Sequence, residues 1–182
     1  MNRIRGAALF GLTAGLALRP MLRRVLLVRL RRDVERINCG DYRPFLRAYA
    51  DDAVLHFNDG QHRWAGDHRG KPAIERFLRD FVAAGLKVEL RDLWLSGPPW
   101  RMTVIGRLDD EARGPDGELL YSNRVVLVLQ TRWGRIVRHD DFYEDTSRMA
   151  AFEAALRDLG IDPVAETLQA AESPRVTPPL SV

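Results

Sequence analysis

Apolar residues recur at helical spacing in the first half of the chain and at alternate positions in most of the second. From Met21, Leu22, Leu26, Leu30, Val34 and Ile37 keep a near-helical period among arginines, and Asn38-Cys39-Gly40 supplies a stop. Asp41 then opens a second helix, DYRPFLRAYA, with Phe45, Leu46 and Tyr49 on one stripe. Asp51-Asp52 turns the chain into a short strand, AVLHF, followed by the polar loop NDGQHRWAGDHRG. A third helix begins at Lys71-Pro72, with proline in the favoured first turn, and carries Ile74, Phe77, Leu78, Phe81 and Val82 on its apolar face. After Gly85 the period changes to two. LKVELRDLWLS, RMTVIGRLDD, YSNRVVLVLQTRW and RIVRHDDFYE read as strands, turned at Gly97-Pro98-Pro99, at GPDGEL and at Trp133-Gly134. A last helix, TSRMAAFEAALRDLG, closes the pattern.

Helices followed by a run of strands predict an α+β domain, not alternating βαβ units. The expected architecture is a cone: a curved, mostly antiparallel sheet closed by three to four helices, with an N-terminal helical extension. The chain divides into a basic apolar leader (1–30), the domain (31–160) and a proline-containing flexible tail (161–182).

Charge sharpens the division. Residues 1–32 hold eight arginines and no acid, whereas the rest of the chain carries 20 basic and 25 acidic side chains. The net +3 therefore belongs to the leader, and the domain is mildly acidic. Arginines confined to an apolar helix, without interleaved aromatics, argue against nucleic acid as a partner. Residues 6–18 are an uncharged run too short to span a bilayer, which takes about 20 residues. Three readings of the leader stand: a helix on an anionic membrane surface through residues 1–32, a helix packed on its own domain or a partner, or a cleaved export signal. Cys39, the single cysteine, excludes an internal disulfide and fits a reducing, cytoplasmic setting, with or without peripheral membrane attachment.

The segment GRIVRHDDFYEDT carries the candidate chemistry. His139, Asp141 and Tyr143 occupy alternate positions of one strand and so share a face. Asp141 in an apolar pocket is a candidate base, or else a carboxylate paired with Arg138 or Arg107. His139 would shuttle a proton or sit at the rim; Tyr143 would donate to an oxyanion or close the core. Asn123 begins the long strand with Val125 and Leu127 on its face, placing an amide where it would bind ligand or tie a sheet edge. Leu55, Phe57 and Trp100 are expected in the pocket wall, and Asp59 and Trp64 on a loop near its mouth. His56, His62 and His68 stand six apart, a spacing of no compact metal site. Scattered glycines form no phosphate loop. No metal or cofactor is expected.

NCGDYRPFLRAYADDAVLHF, GKPAIERFL and NRVVLVLQTRWGRIVRHDDFYEDT, in that order, resemble the SnoaL-like branch of the nuclear transport factor 2-like superfamily over roughly residues 30–160. The resemblance implies a cone-shaped pocket, often in a homodimer, and leaves the chemistry open, since the superfamily holds isomerases, cyclases, hydrolases, dehydratases and binding domains. Against ketosteroid isomerases, the catalytic tyrosine falls on Asp33, the base on Phe57 and the protonated acid near Val126 or Leu127. Against limonene-epoxide-type hydrolases, Asp141 matches the final-strand aspartate. Their arginine and second aspartate fall near Val104 and Gly106, and their tyrosine and asparagine on Leu55 and Phe57. The expected function is binding of a small apolar molecule, with cofactor-independent acid–base catalysis of isomerase, cyclase, dehydratase or hydrolase type. The alternative is a non-catalytic ligand- or partner-binding domain held at a membrane by its leader.

Overall fold

The computed structural model describes residue 21 and residues 24–163; the first 20 residues of the leader and most of the tail lie outside them. A first helix, α1, runs over 24–38 and buries its leucine stripe: Leu26, Leu27, Leu30 and Ile37 pack on the core. It stops where the sequence predicts. Gly40, at φ +91°, lets its own N–H reach the Ile37 carbonyl (2.8 Å) and that of Asp41 reach the Arg36 carbonyl (2.8 Å), a paired closure of the last turn.

The second helix is shorter than expected. α2 is one turn, Arg43–Leu46, and Tyr49 already opens β1 (Tyr49–Phe57). Strand pairing wins over the helical stripe because Tyr49 sits opposite Ile136 in the sheet, and the register shift between Tyr49 and Val54 carries Asp51-Asp52 outward. The polar loop hides a further strand, β2 (Gly66–Arg69), paired antiparallel with β1. α3 (Lys71–Ala83) buries Ile74, Phe77, Leu78 and Phe81, as its apolar stripe predicts.

Four strands follow: β3 (Lys87–Ser96), β4 (Thr103–Arg113), β5 (Leu119–Arg132) and β6 (Arg135–Tyr143), with α4 (Ser147–Asp158) last. The sheet order is β2-β1-β6-β5-β4-β3, and only the β1–β6 pair is parallel. β5 and β6 are joined by Trp133 and Gly134 alone, both at positive φ (51° and 75°). Two such residues make the mirror-image turn whose twist matches a tight hairpin. That turn sets the register of β6 against β5, and so decides which residues of the candidate segment face inward.

Inward positions alternate with outward ones along β5: Tyr121, Asn123, Val125, Leu127 and Leu129 are buried, while Arg124, Val126 and Gln130 are exposed. The concave face of the sheet, α3, and the leucine side of α1 enclose one continuous core. This is the α+β cone that the pattern predicts.

Candidate functional site

Register brings the candidate residues together. Leu129, Leu127 and Val125 of β5 lie opposite His139, Asp141 and Tyr143 of β6, so the three polar groups climb one face beside an aliphatic ladder. Across β5, Val125 faces Leu108 of β4, and Asp110 follows two residues on, opposite Asn123. The side chains of His139, Asp141, Tyr143 and Asp110 all line a cavity of about 70 Å³. Its other walls are Val125, Leu127 and Leu108 of the sheet, Phe77, Leu78 and Phe81 of α3, and Leu30, Val34 and Ile37 of α1.

Two hydrogen-bonded chains organise these groups. In the first, His139 Nδ1 meets the Tyr49 hydroxyl at 2.5 Å and Nε2 meets Asp141 Oδ1 at 2.8 Å. Burial, followed by the Asp141 charge, holds the Tyr49 hydroxyl well above its usual pKa, so it remains protonated. It donates to Nδ1. With the hydroxyl donating to Nδ1, Nε2–H is left to donate to Asp141, which fixes the tautomer. His139 is thus a positioning group with both nitrogens engaged. Arg107 and Arg138 do not hold Asp141: they pair with Asp92 and Asp140 on the outer face.

In the second chain, Tyr143 donates its hydroxyl to Asp110 Oδ2 at 2.7 Å. Asp110 is 3% exposed, and its Oδ1 is buried with no partner. Burial pushes its carboxyl from 3.8 up to about 7; the Tyr143 bond opposes the shift, and the charges of Asp141 and Asp109 add to it. Tyr143 has a single hydroxyl hydrogen, and it is spent on Asp110. The direct donor at this end of the cavity is therefore Asp110 itself when protonated.

Asp110 is the residue that the sequence reading missed. Its alternation with Val104, Leu108 and Ala112, all on the buried face of β4, is the signal that marks it as inward. The resemblance puts the hydrolases' second aspartate near Val104 and Gly106, where no polar side chain stands; Asp110 lies four residues beyond Gly106 on the same strand.

The other expected wall residues divide. Val125 and Leu127 line the cavity, and Phe57 backs it, its ring 4.8 Å from that of Tyr143 and 5.4 Å from that of Phe77. Leu55 is fully buried in the core but does not reach the cavity. Asn123 turns its amide to the chain after β6, donating to the Asp145 carbonyl at 2.7 Å. It is a sheet-end tie. Asp59 is exposed on its loop, and Trp100 is 55% exposed between β3 and β4. Trp64 is fully buried, stacked on Phe152 of α4 with centroids 6.0 Å apart. The loop lies away from the mouth because Arg63 binds it to α4: its guanidinium grips Glu153 through Nε (2.8 Å) and Nη2 (3.2 Å) and also reaches the Ile161 carbonyl. α1, not this loop, covers the cavity.

A second apolar hollow, about 80 Å³, lies under α1 among Leu26, Leu93, Val104 and Leu129, and shares Leu30 and Phe45 with the first. Among the described residues, no group of three or more histidine, cysteine, aspartate or glutamate side chains is placed to hold a metal ion. Cys39 is exposed and free.

A bent, mostly antiparallel sheet closed by helices, with polar groups of the last strand turned into its hollow, defines a nuclear transport factor 2-like domain. A family profile, the SnoaL-like domain, matches residues 30–139, and the chain belongs to that family. No curated protein matches the sequence. Among solved structures, the chain resembles Bal32a from a soil-derived mobile gene cassette (23% identity, TM-score 0.59, 72% of this chain and 98% of that one). It also resembles an NTF2-like protein of unknown function from Burkholderia pseudomallei (22%, 0.57, 70% and 95%). TerC, co-crystallised with polyporic acid, superposes at TM-score 0.56 with 18% identity over 70% of this chain and 97% of its own. At these identities the likeness establishes the fold.

Proposed function

We propose that the cone binds a small, largely apolar molecule and moves a proton on it without a cofactor. Asp141 is the base, and protonated Asp110 donates to the oxygen on which charge develops. One observation carries this reading: two carboxyl groups in one apolar cavity have different partners. Asp141 accepts from the Tyr49–His139 chain, whereas Asp110 is pushed up to about 7 with one oxygen free. Environments that separate two neighbouring acids are how one site supplies acid and base at the same pH. Removal of a proton from carbon beside a carbonyl fits: Asp141 takes the proton, Asp110 gives a hydrogen bond to the enolate oxygen, and return of the proton at another carbon completes an isomerisation. Family membership and the co-crystallised ligand of TerC support small-molecule binding.

At about 70 Å³, the cavity has room for only two or three waters at about 30 Å³ each. Ligand entry in this reading requires α1 to lift, joining the two hollows that meet at Leu30 and Phe45. We further propose a homodimer through the outer face of β3–β6, where Trp94, Val126 and Phe142 are exposed.

The second reading, a binding domain without turnover, is favoured by the internal pairing of these groups, because Tyr49 and His139 engage Asp141 and Tyr143 engages Asp110 inside the fold. A panel of enones, epoxides, sterols, aromatic polyketides and fatty acids, assayed for thermal shift and for turnover, separates the two. On the catalytic reading a ligand class stabilises the wild type, and Asp141→Asn binds it but loses turnover by about 10²–10⁴-fold. Undiminished turnover in a folded Asp141→Asn protein removes the catalytic reading. Stabilisation of both proteins with no turnover by either leaves a carrier.

A further inference from the structure

α1 has two faces with different surroundings. Its inner face closes the cavity with Leu30, Val34 and Ile37. Its outer face leaves Val25 56% and Val28 52% exposed, with Arg24, Arg32 and Arg36 exposed around them. Arg47, at the end of α2, borders the same shallow hollow, and the only acid bordering it is the half-buried Asp33. Arg36 also approaches Asp41 at 3.5 Å, with both side chains well exposed. The sequence leading into this helix continues the pattern, since residues 1–32 have eight arginines and no acid.

Solvent-facing surfaces ordinarily intersperse charges of both signs. Here aliphatic side chains are set among a majority of arginines, with Asp33 and the exposed Glu35 the acids of the described helix. Branched aliphatics complement the acyl boundary of a bilayer, and arginines complement lipid phosphates a few ångströms further out. Nothing aromatic stands among the described residues of this face to stack on bases. No helix among the described residues is long and apolar enough to cross a membrane.

We propose that the outer face of α1, with Arg47 beside it, docks on an anionic phospholipid surface. The proposal stands on this face alone and does not depend on the catalytic reading. The helix that docks is also the helix that covers the cavity, so docking sets the covered mouth against the lipid.

The test is co-sedimentation of the full chain with phosphatidylcholine vesicles, with and without phosphatidylglycerol, over a range of salt. The variants are Arg24→Gln/Arg32→Gln/Arg36→Gln, Val25→Ser/Val28→Ser, and Asp141→Asn, each checked for an unchanged melting curve. The expected result is binding that requires phosphatidylglycerol and weakens with salt. The triple arginine variant should lose about tenfold or more in partition coefficient, the valine variant should bind less at every salt concentration, and Asp141→Asn should bind as wild type. A wild-type chain that ignores anionic vesicles at low salt overturns the proposal and leaves the face to an acidic protein. So does a triple variant that binds as wild type.

Discussion

Tyr143 on β6 donates its hydroxyl to Asp110 on β4, at 2.7 Å, over Val125 of the strand between them. The bond spans three strands and links the candidate segment of the sequence to a carboxyl group outside it. Burial, then the charges of Asp110 and Asp141, keeps the Tyr143 hydroxyl well above its usual pKa, so it stays a donor. Asp110 is the member of the pair that titrates near neutrality.

Asp110→Asn should stabilise the protein increasingly as pH rises. In the unfolded chain the carboxyl ionises near 3.8, and in the fold at about 7. Between those values the unfolded state has released a proton that the folded state retains, so wild-type stability falls as pH rises through this window and levels off above it. At one pH unit per 1.36 kcal/mol, the cost above pH 7 reaches up to about 4 kcal/mol. Asparagine keeps an oxygen for Tyr143 and has nothing to ionise. Urea unfolding at pH 4, 5.5 and 8 should show the variant gaining on wild type with pH. A difference that does not vary with pH contradicts the assignment.

Tyr49→Phe should release the tautomer of His139. The hydroxyl is the donor to Nδ1, and without it a buried ring nitrogen has no partner, at a cost of about 1–3 kcal/mol. Nitrogen chemical shifts of the ring should show a single Nε2–H form in wild type and a mixture of tautomers in the variant. An unchanged Nε2–H spectrum would mean that Asp141 alone orients the ring.

The pair formed by His139 and Asp141 was legible in the sequence because both lie on one regular strand, where a period of two says everything about facing. Asp110 was less legible: it follows Asp109 and precedes Glu111, and an acidic run reads as solvated unless alternation with Leu108 and Ala112 is given more weight. Tyr49 was misread for a different reason. Its spacing from Phe45 fits a helix, and only the distant pairing with Ile136 makes it the first residue of a strand. Trp100 failed as a wall residue, and Asp59 and Trp64 as residues of the mouth, because loops carry no periodicity. The place of the loop holding Asp59 and Trp64 follows from a tertiary contact, Arg63 with Glu153, separated by 90 residues.

That contact should be costly to break on one side. The side chains of Arg63 and Glu153 are 3% and 2% exposed, and Arg157 adds a second bond to Glu153 at 3.3 Å. Glu153→Ala leaves the Arg63 guanidinium buried without its counter-charge, a loss of about 3–5 kcal/mol. Arg63→Met with Glu153→Leu removes both charges and should recover much of the loss, because neither partner is then left unpaired. Denaturant midpoints of the three proteins check this. A double variant as unstable as the single one would show that the guanidinium's bond to the Ile161 carbonyl, not the ion pair, secures the loop.

The proposed dimer gives the last prediction. On the outer face Val126 lies opposite Arg107 on one side and Phe142 on the other, with Trp94, Ile105 and Val128 in the neighbouring row. Trp94 and Phe142 are 50% and 57% exposed, more large apolar surface than a solvated strand face needs. Arg107–Asp92 and Arg138–Asp140 bracket the patch with ion pairs, the arrangement of an apolar centre and a polar rim. Two glutamates, Val126→Glu and Phe142→Glu, would face their own copies across a two-fold axis and desolvate unpaired charge. Sedimentation velocity should find wild type as a dimer and the double variant as a monomer. The glutamates point outward, so the monomer should keep its cavity and its far-ultraviolet spectrum. A wild type that sediments as a monomer at tens of micromolar would leave the patch without a second copy to cover it.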